Sequence, residues 1–388
     1  MNSATQVPPR VHWKENGVAL SARWRSESGR PPPQRILAVD DQTSADTAYR
    51  LIRSGTALLW RGDFQNARQL LQALTRRLER QPRAGTGRPA AQPSAVAEMF
   101  EQQRKEQALR AQTLGMLLLP LDPDYRVPLR RAPDLGQACA AAYGIPSAGA
   151  VEPSLVSMRE LLGLIGAYEW RRNGVPVAAL GARIHPHYGV FAPIRGEYVD
   201  LVAETSLPDV EVAFDIGTGT GVLAAVLARR GIRKVLATDQ DARALACAHE
   251  NIERLGVGKQ VDVLEADLFP PGRAGLVVCN PPWLPALPSS PIEYAVYDPG
   301  SRMLLGFLRG LTAHLTPDGE GWLVLSDLAE HLGLRTRDEL LSAIDTAGLK
   351  VLGRVDARPR HPRAADPSDP LHRARAAEVT SLWRLAAR

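Results

Sequence analysis

The chain has 388 residues, of which 45% are hydrophobic, with a formal net charge of +5 and a sequence pI of about 9.3. This length predicts two or three domains. The basic balance favours acidic partners such as RNA or the ribosome, although ordinary enzymes also carry such a charge. No apolar run approaches the roughly 20 residues of a membrane span, and residues 1–10 lack the apolar segment of a secretory signal. The three cysteines have neither metal-binding nor disulfide spacing, so we expect a protein of the reducing cytoplasm without a metal site.

The first half of the chain carries no motif that indicates chemistry. Residues 1–40 are rich in Pro, Arg and Ser, which predicts a flexible arm. Residues 41–172 repeat apolar side chains at a spacing of three to four, which predicts a mostly helical domain with a linker at about 81–94. Helices are expected over 44–80 (as a hairpin), Ala95–Met116, Leu135–Tyr143 and Ser154–Arg172. Residues 173–196 predict a β-hairpin connector, with strands at Val175–Ile184 and Tyr188–Ile194.

In residues 197–388, short apolar strands alternate with amphipathic helices. The expected strands are Val212–Ile216, Lys234–Thr238, Val261–Glu265, Leu276–Cys279, Gly321–Leu325, Leu349–Asp356 and Glu378–Leu385. Helices are expected between them, at Val222–Arg229, Ala242–Leu255, Arg302–Leu315 and Arg337–Ala347. Such alternation predicts an α/β fold with a mostly parallel sheet covered on both faces. Ligands bind such sheets beyond the carboxyl ends of the strands.

Chemistry-bearing residues follow four successive strands of this half. They are Asp215 with the loop Gly217-Thr218-Gly219-Thr220-Gly221, then Asp239, then Asp267-Leu268, and finally Asn280-Pro281-Pro282-Trp283. Glycines let the backbone approach a ligand closely, and a carboxylate such as Asp239 can accept hydrogen bonds from both ribose hydroxyls. The GxGxG spacing departs from the GxGxxG fingerprint of dinucleotide enzymes and disfavours a nicotinamide dehydrogenase.

The segment 280–283 can bind a planar NH2 group, whose delocalised lone pair makes it a poor nucleophile. The Asn280 side-chain oxygen and the Pro281 carbonyl can accept its two N–H groups and orient the lone pair. Pro282 stiffens the turn, and the Trp283 ring can stack on a planar substrate. The intact tetrapeptide argues against a binding protein that has lost catalysis.

The ordered segments DIGTGTG, ATDQD, EADLF and NPPW resemble those of class I S-adenosylmethionine-dependent methyltransferases in the amino-methylating branch. The resemblance implies a Rossmann-like sheet with an antiparallel last strand, and S-adenosyl-L-methionine as the cofactor. It places the cofactor against Asp215, Gly217, Thr218, Gly219, Gly221 and Asn280, its ribose on Asp239, and its adenine near Asp267 and Leu268. Residues 174–202 resemble the hairpin of HemK-type glutamine methyltransferases, which also follow a helical N-terminal domain. The chain departs from that family at Trp283, where Tyr or Phe is usual, and at Pro193-Ile-Arg195-Gly-Glu197, which matches its Pro-Arg-Pro-Glu motif loosely.

Two macromolecular substrates remain open: a glutamine side chain in a translation-related protein, which is slightly favoured, and a base amino group of rRNA or tRNA, either adenine N6 or guanine N2. Arg195 is a candidate substrate contact. The long loop 357–377 is expected to overhang the substrate mouth, where its Arg358, Arg360 and Arg363 could contact phosphate. Two histidines, His185 and His187, are expected to be structural, because no third metal ligand accompanies them.

Overall fold

The computed structural model describes residues 9–80, 93–146, 152–288, 293, 295–359, 366 and 369–388. The chain forms two compact units. The first comprises residues 1–86 and 102–169, and the second comprises residues 87–101 and 170–388. None of the helices in the described part of the chain combines the length and apolar composition that a membrane span requires.

The first unit is built around a six-stranded mixed sheet with the strand order β1-β2-β6-β5-β4-β3. Its strands are β1 (Arg10–Glu15), β2 (Val18–Arg25), β3 (Arg35–Val39), β4 (Thr56–Trp60), β5 (Leu117–Leu121) and β6 (Ser154–Ser157). Its helices are α1 (Ala45–Arg53), α2 (Phe64–Glu79), most of α3 (Pro93–Leu114), α4 (Gly136–Tyr143) and most of α5 (Met158–Asn173). Strands β3, β4 and β5 run parallel.

This architecture corrects two predictions. The expected flexible arm is wrong over the described residues, because Val11, Ala22 and Trp24 point one face of the β1–β2 hairpin into a core. The expected mostly helical domain contains helices α1 to α5, but strands β4, β5 and β6 were not expected within it. Leu58 and Leu59, which fitted a helical stripe, are fully buried in β4 between two parallel neighbours. A short, continuous apolar run fits a buried strand as well as a helix, so periodicity alone does not separate them.

The expected linker at about 81–94 falls mostly on residues 81–92, which lie outside the described residues; helix α3 begins at Pro93. The connector begins with β7 (Val175–Val177) and β8 (Ala182–Ile184), which pair antiparallel. Residues 188–194 are not a strand, because Gly189 takes a φ of +83° and prolines stand at 186 and 193. Residues 185–196 are called the connecting segment below.

The second unit contains a seven-stranded sheet with the order β11-β10-β9-β12-β13-β15-β14. Its strands are β9 (Val212–Ile216), β10 (Lys234–Asp239), β11 (Val261–Glu265), β12 (Ala274–Cys279), β13 (Leu315–Ser326), β14 (Leu349–Ala357) and β15 (Thr380–Ala387). Strand β15 is antiparallel to both of its neighbours, and β9 to β13 are mutually parallel. The expected Rossmann-like sheet with an antiparallel last strand is therefore confirmed.

Helices cover both faces of this sheet. They are α6 (Glu197–Glu204), α7 (Val222–Arg229), α8 (Ala242–Arg254), α9 (Arg302–His314), α10 (Leu328–His331), α11 (Arg337–Thr346) and α12 (His372–Ala377). The apolar faces of α6, α7 and α8 bury one side of the sheet, and those of α9 and α11 bury the other. Strands β9, β10, β12 and β13 thus lie between two apolar layers, whereas the edge strand β11 is covered on one face.

Candidate active site

The glycine loop joins β9 to α7 at the carboxyl edge of the sheet. Gly217, Gly219 and Gly221 have φ values of +70°, +55° and +79°, which L side chains rarely adopt. Asp215, near the end of β9, is 1% exposed, and its carboxylate binds the loop and the start of α7. Its Oδ2 accepts hydrogen bonds from Thr218 Oγ1 at 2.6 Å and from the Ala224 backbone N–H at 3.0 Å. Burial raises the pKa of Asp215 to about 6.

Asp239 lies beside this loop, at the end of the neighbouring strand β10. Its Oδ2 accepts the Gly219 N–H at 3.0 Å, and its Oδ1 accepts the Asp241 N–H at 3.0 Å. Burial raises the pKa of this carboxyl. No described atom lies within 4 Å of the position that a Cβ on Gly219 would occupy. The open backbone at Gly219, beside the half-buried Asp239 carboxylate, fits the adenosine part of S-adenosylmethionine. Asp239 could accept hydrogen bonds from the ribose hydroxyls of that part.

The third expected cofactor segment, Asp267-Leu268, follows β11 at the same edge. Asp267 is exposed, and its carboxylate lies 3.6 Å from Arg302 Nη2. Leu268 has a φ of +75°, and its carbonyl accepts a hydrogen bond from Thr238 Oγ1. This bond draws the backbone after β11 towards β10, on the Asp239 side of the edge.

Asn280 to Trp283 follow β12, which pairs with β9 on the side opposite β10. The Trp283 indole Nε1 donates a hydrogen bond to Asn280 Oδ1 at 2.9 Å. The Arg195 guanidinium lies over the Trp283 ring, with its central carbon 5.5 Å from the ring centroid. The Trp283 side chain thus contacts both the Asn280 amide and the Arg195 guanidinium.

Arg195, the expected substrate contact, is engaged within the protein. Its two terminal nitrogens donate to the carboxylate oxygens of Glu378 at 3.1 and 2.9 Å. Ser326 Oγ donates to the same carboxylate at 2.7 Å. A bidentate pair of this kind fixes the guanidinium plane. Contacts within the protein therefore hold Arg195 in place over the Trp283 ring. This pairing was invisible in the sequence because 183 residues separate the two partners.

Asn251 joins the connecting segment to the glycine loop. It is fully buried in α8, and its amide nitrogen donates to the carbonyls of Thr220 at 3.1 Å and His185 at 3.3 Å. Its side-chain oxygen accepts the His185 N–H at 2.7 Å. Nothing in the local sequence distinguishes this asparagine from a solvated helical residue, so its role could not be predicted from the sequence.

The two histidines of the connecting segment have structural partners. His185 Nδ1 lies 2.7 Å from the Arg171 carbonyl, and His187 Nε2 lies 2.6 Å from Glu250 Oε2. Burial lowers the pKa of His187. Although burial opposes it, hydrogen bonds from His187, Arg254 and Arg171 lower the pKa of Glu250 to about 2.

Two further residues, Asp298 and Met303, lie on the α9 side of the glycine loop, and the sequence did not single them out. The buried Asp298 carboxylate accepts the backbone N–H groups of Met303 at 3.0 Å and Leu304 at 3.1 Å, and so caps α9. The terminal methyl carbon of Met303 lies 2.4 Å from the position of a Cβ on Gly217. A side chain at 217 would displace only the flexible end of Met303, so it is the φ of +70° that calls for a glycine there. The Tyr-Asp-Pro-Gly turn at 297–300 was the available signal for a cap.

The loop after β14 leaves from the same edge as the motifs, because Ala357 pairs with Thr380, which also pairs with Ser326 at the end of β13. Arg358 is exposed at the start of this loop. Arg360 and Arg363 lie outside the described residues.

Residues 183–336 match the family described as "Methyltransferase small domain". This match confirms the resemblance that the four motifs indicate, and it spans all four of them. The second unit therefore has a fold and a motif order that are similar to those of class I methyltransferase domains.

Among curated proteins, the chain is 31% identical over 180 residues to a release factor glutamine methyltransferase of Cereibacter sphaeroides, which covers 43% of this chain and 63% of that protein. It is 46% identical over 69 residues to a ribosomal protein L11 methyltransferase of Pelotomaculum thermopropionicum, covering 17% and 22%. It is 28% identical over 168 residues to a tRNA1(Val) (adenine(37)-N6)-methyltransferase of Shewanella amazonensis, covering 39% and 72%. The chain thus spans less than two thirds of the first two relatives.

Among solved structures, the chain is similar to a methyltransferase from Pyrococcus furiosus, with 19% identity and a TM-score of 0.37; the similarity covers 59% of this chain and 99% of that one. A second is a SAM-dependent methyltransferase from Geobacter sulfurreducens in complex with S-adenosyl-L-homocysteine, with 19% identity, a TM-score of 0.34 and coverage of 55% and 99%.

Proposed function

We propose that the protein is an S-adenosylmethionine-dependent N-methyltransferase that methylates a planar amide or amino nitrogen. The observation that carries this proposal is the arrangement at 280–283, beside the glycine loop and Asp239 on adjoining strands. S-adenosylmethionine supplies an electrophilic methyl group on its sulfonium when it is bound. The three cysteines are buried and free, and we propose the reducing cytoplasm as the compartment.

The role of the residues at 280–283 is to position the acceptor nitrogen. The Asn280 oxygen keeps a second lone pair for a substrate N–H, because Trp283 uses only one. The Pro281 carbonyl can accept the second N–H, which leaves the nitrogen lone pair directed at the methyl group. Positioning of this kind can supply most of the rate enhancement, so we assign no general base.

We favour a glutamine side chain in a translation-related protein as the acceptor. One support is the similarity to the release factor glutamine methyltransferase. Another is a pair of exposed apolar residues next to the site. Ile194, which precedes Arg195, is 53% exposed, and Val296, whose carbonyl accepts the backbone N–H of Leu284 after Trp283, is 37% exposed. Exposed apolar residues are typical of protein partners, whereas nucleic-acid interfaces are dominated by positive charge.

The test is transfer of labelled methyl groups from S-adenosylmethionine into a lysate of a strain that lacks this protein. The label should resist RNase, be released by protease, and be recovered as N-methylglutamine after complete digestion. The Asn280→Ala variant is the matched control, since it should bind cofactor without transferring the methyl group. Absence of any labelled product with the wild-type protein would contradict the proposal.

A base amino group of rRNA or tRNA is the second candidate, supported by the exposed Arg358 at the motif edge and by the similarity to a tRNA adenine methyltransferase. This candidate predicts a label that RNase releases. It also predicts that replacing Arg358, Arg360 and Arg363 together with Ala weakens RNA or ribosome binding and flattens its salt dependence. Unchanged affinity and salt slope in this triple variant would favour the protein substrate.

A further inference from the structure

The charge of the chain is divided unequally between the two units. The first unit contains 21 Lys and Arg residues and 14 Asp and Glu residues, whereas the second unit contains 26 and 28. The basic balance of the chain therefore belongs to the first unit and not to the unit that carries the four motifs. In a domain of such charge, an exposed face with several cations and few acids is a candidate contact for nucleic acid.

Helix α2 of the first unit presents a face of this kind. Its apolar side is buried, and the residues of its other side are exposed or half-buried. We call this other side the α2 face; it consists of Gln65, Arg68, Gln69, Gln72, Arg76 and Glu79, with Arg80 directly after the helix. It contains three arginines, three glutamines and a single acid. Guanidinium and amide groups are among those with which proteins contact phosphate oxygens.

The arginines of the α2 face are available for a partner. Among the residues that the structure describes, none of the three forms an ion pair with a carboxylate. Arg77, on another side of the same helix, does form one: it pairs with Asp46 of α1, and its guanidinium carbon lies 4.7 Å from the centroid of the Tyr49 ring. The protein thus uses one arginine of this region in its own packing and leaves the arginines of the α2 face to solvent.

Stabilisation of the helix does not account for the whole row. The helix dipole favours cations near the last turn, which applies to Arg76 and Arg80 but not to Arg68 in the second turn. Exposed helices are also stabilised by ion pairs three or four residues apart, yet Glu79 pairs with no cation of the described chain. At 1.5 Å per residue, Arg68 to Arg80 extend over about 18 Å, a length in which one strand of a duplex carries about five phosphates.

We propose that the α2 face binds the phosphate backbone of a nucleic acid. This inference is independent of the proposed function, because neither the cofactor residues nor the segment 280–283 takes part in it. Contacts to phosphate position a protein on nucleic acid without reading its bases. The α2 face should therefore bind an RNA duplex and a DNA duplex of the same sequence with similar affinity.

The experiment measures fluorescence anisotropy of a short labelled RNA duplex and the corresponding DNA duplex, between about 50 and 200 mM salt. The variant combines Arg68→Gln, Arg76→Gln and Arg80→Gln, which remove charge and keep a good helix former. Its slope of log affinity against log salt should be smaller by about 2 to 3, at roughly 0.7–0.9 per lost phosphate contact. Binding should thus weaken most at low salt. Replacing the same three residues with Lys keeps the charge and should keep the slope.

The matched control removes three exposed cations of the second unit, through Lys259→Gln, Arg309→Gln and Lys350→Gln. It should leave the slope unchanged; an equal loss would mean that only net charge matters and would overturn the inference. The single variant Arg76→Gln, with a slope smaller by about 1, gives the same test if the triple variant does not fold.

Three further results would overturn the inference. One is a wild-type protein that binds neither duplex at the lowest salt concentration. Another is an unchanged slope in the α2 variants. The third is equally tight binding of poly-L-glutamate with the same dependence on the α2 face, because the partner would then be an acidic protein. Loss of methyl transfer from S-adenosylmethionine with intact binding of both duplexes would instead contradict the proposed function alone.

Discussion

The indole nitrogen of Trp283 donates a hydrogen bond to the side-chain oxygen of Asn280 at 2.9 Å. The sequence assigned Trp283 a stacking role, and this contact adds a second one. Because the bond fixes the rotation of the Asn280 amide, it determines where the remaining lone pair of the oxygen points. The two residues therefore act as one unit, and their substitutions should not be additive.

Trp283→Phe should keep a stacking face and lose this hydrogen bond. Since a neutral hydrogen bond contributes about 0.5–1.5 kcal/mol, we expect the rate of methyl transfer to fall about 2- to 10-fold. Trp283→Ala should lose most of the activity, because the stacking face goes as well. Single-turnover measurements on both variants give the comparison, and a fully active Trp283→Ala would remove stacking from the mechanism.

Asn280→Ala should abolish transfer while cofactor affinity stays within a few-fold of wild type. The carboxamide acts on the acceptor nitrogen, so its contribution belongs to the transition state. Single-turnover transfer and a separate S-adenosylmethionine titration check the two halves of this prediction. Near wild-type transfer would show that Asn280 is not the orienting group.

Asp239→Ala should weaken S-adenosylmethionine binding by about 1.5–3 kcal/mol, because the ribose loses a charged hydrogen-bond acceptor. Asp241→Ser is the matched control. Asp241 caps α8 through Arg243 N–H, and serine keeps a capping oxygen without the charge. Calorimetric titration should separate the two variants, and equal affinities would remove Asp239 from the site.

Asn251→Ala should both destabilise the protein and weaken cofactor binding. It leaves the Thr220 carbonyl and both backbone groups of His185 without their buried partner, which costs about 1–3 kcal/mol for a buried group. The glycine loop would lose its tie to the connecting segment at the same time. His249→Ala, an exposed position on the same helix, should change neither the melting temperature nor the affinity. A stable variant with normal affinity would contradict the link between Asn251 and the loop.

The parts predicted from sequence were those that local patterns determine. The bounds expected for β9 and α7, Val212–Ile216 and Val222–Arg229, are those observed, because an apolar strand, a glycine turn and an apolar helix follow in one stretch. Strand β4 was missed because its run of four apolar residues, Ala57 to Trp60, suits two kinds of structure. The partners of Arg195 were missed for another reason: Glu378 reaches it only when β15 has been inserted next to β13. The site motifs are contiguous in the sequence, whereas the residues that hold them in place come from distant parts of the chain.

Asp215→Asn should change how the stability of the cofactor-free protein depends on pH. Burial raises the folded-state pKa of Asp215 to about 6, from an ordinary value of 3.8. The folded state therefore binds this proton more tightly than the unfolded state, and the wild-type protein loses stability as pH rises from about 4 to about 6. Asparagine keeps an oxygen for Thr218 and Ala224 and does not ionise. The stability of the variant relative to wild type should thus increase over this interval, by on the order of 3 kcal/mol, and stay constant above it. Thermal or urea unfolding at pH 4, 5, 6 and 7.5 measures the difference. A difference that is independent of pH would mean that Asp215 titrates normally in the folded protein.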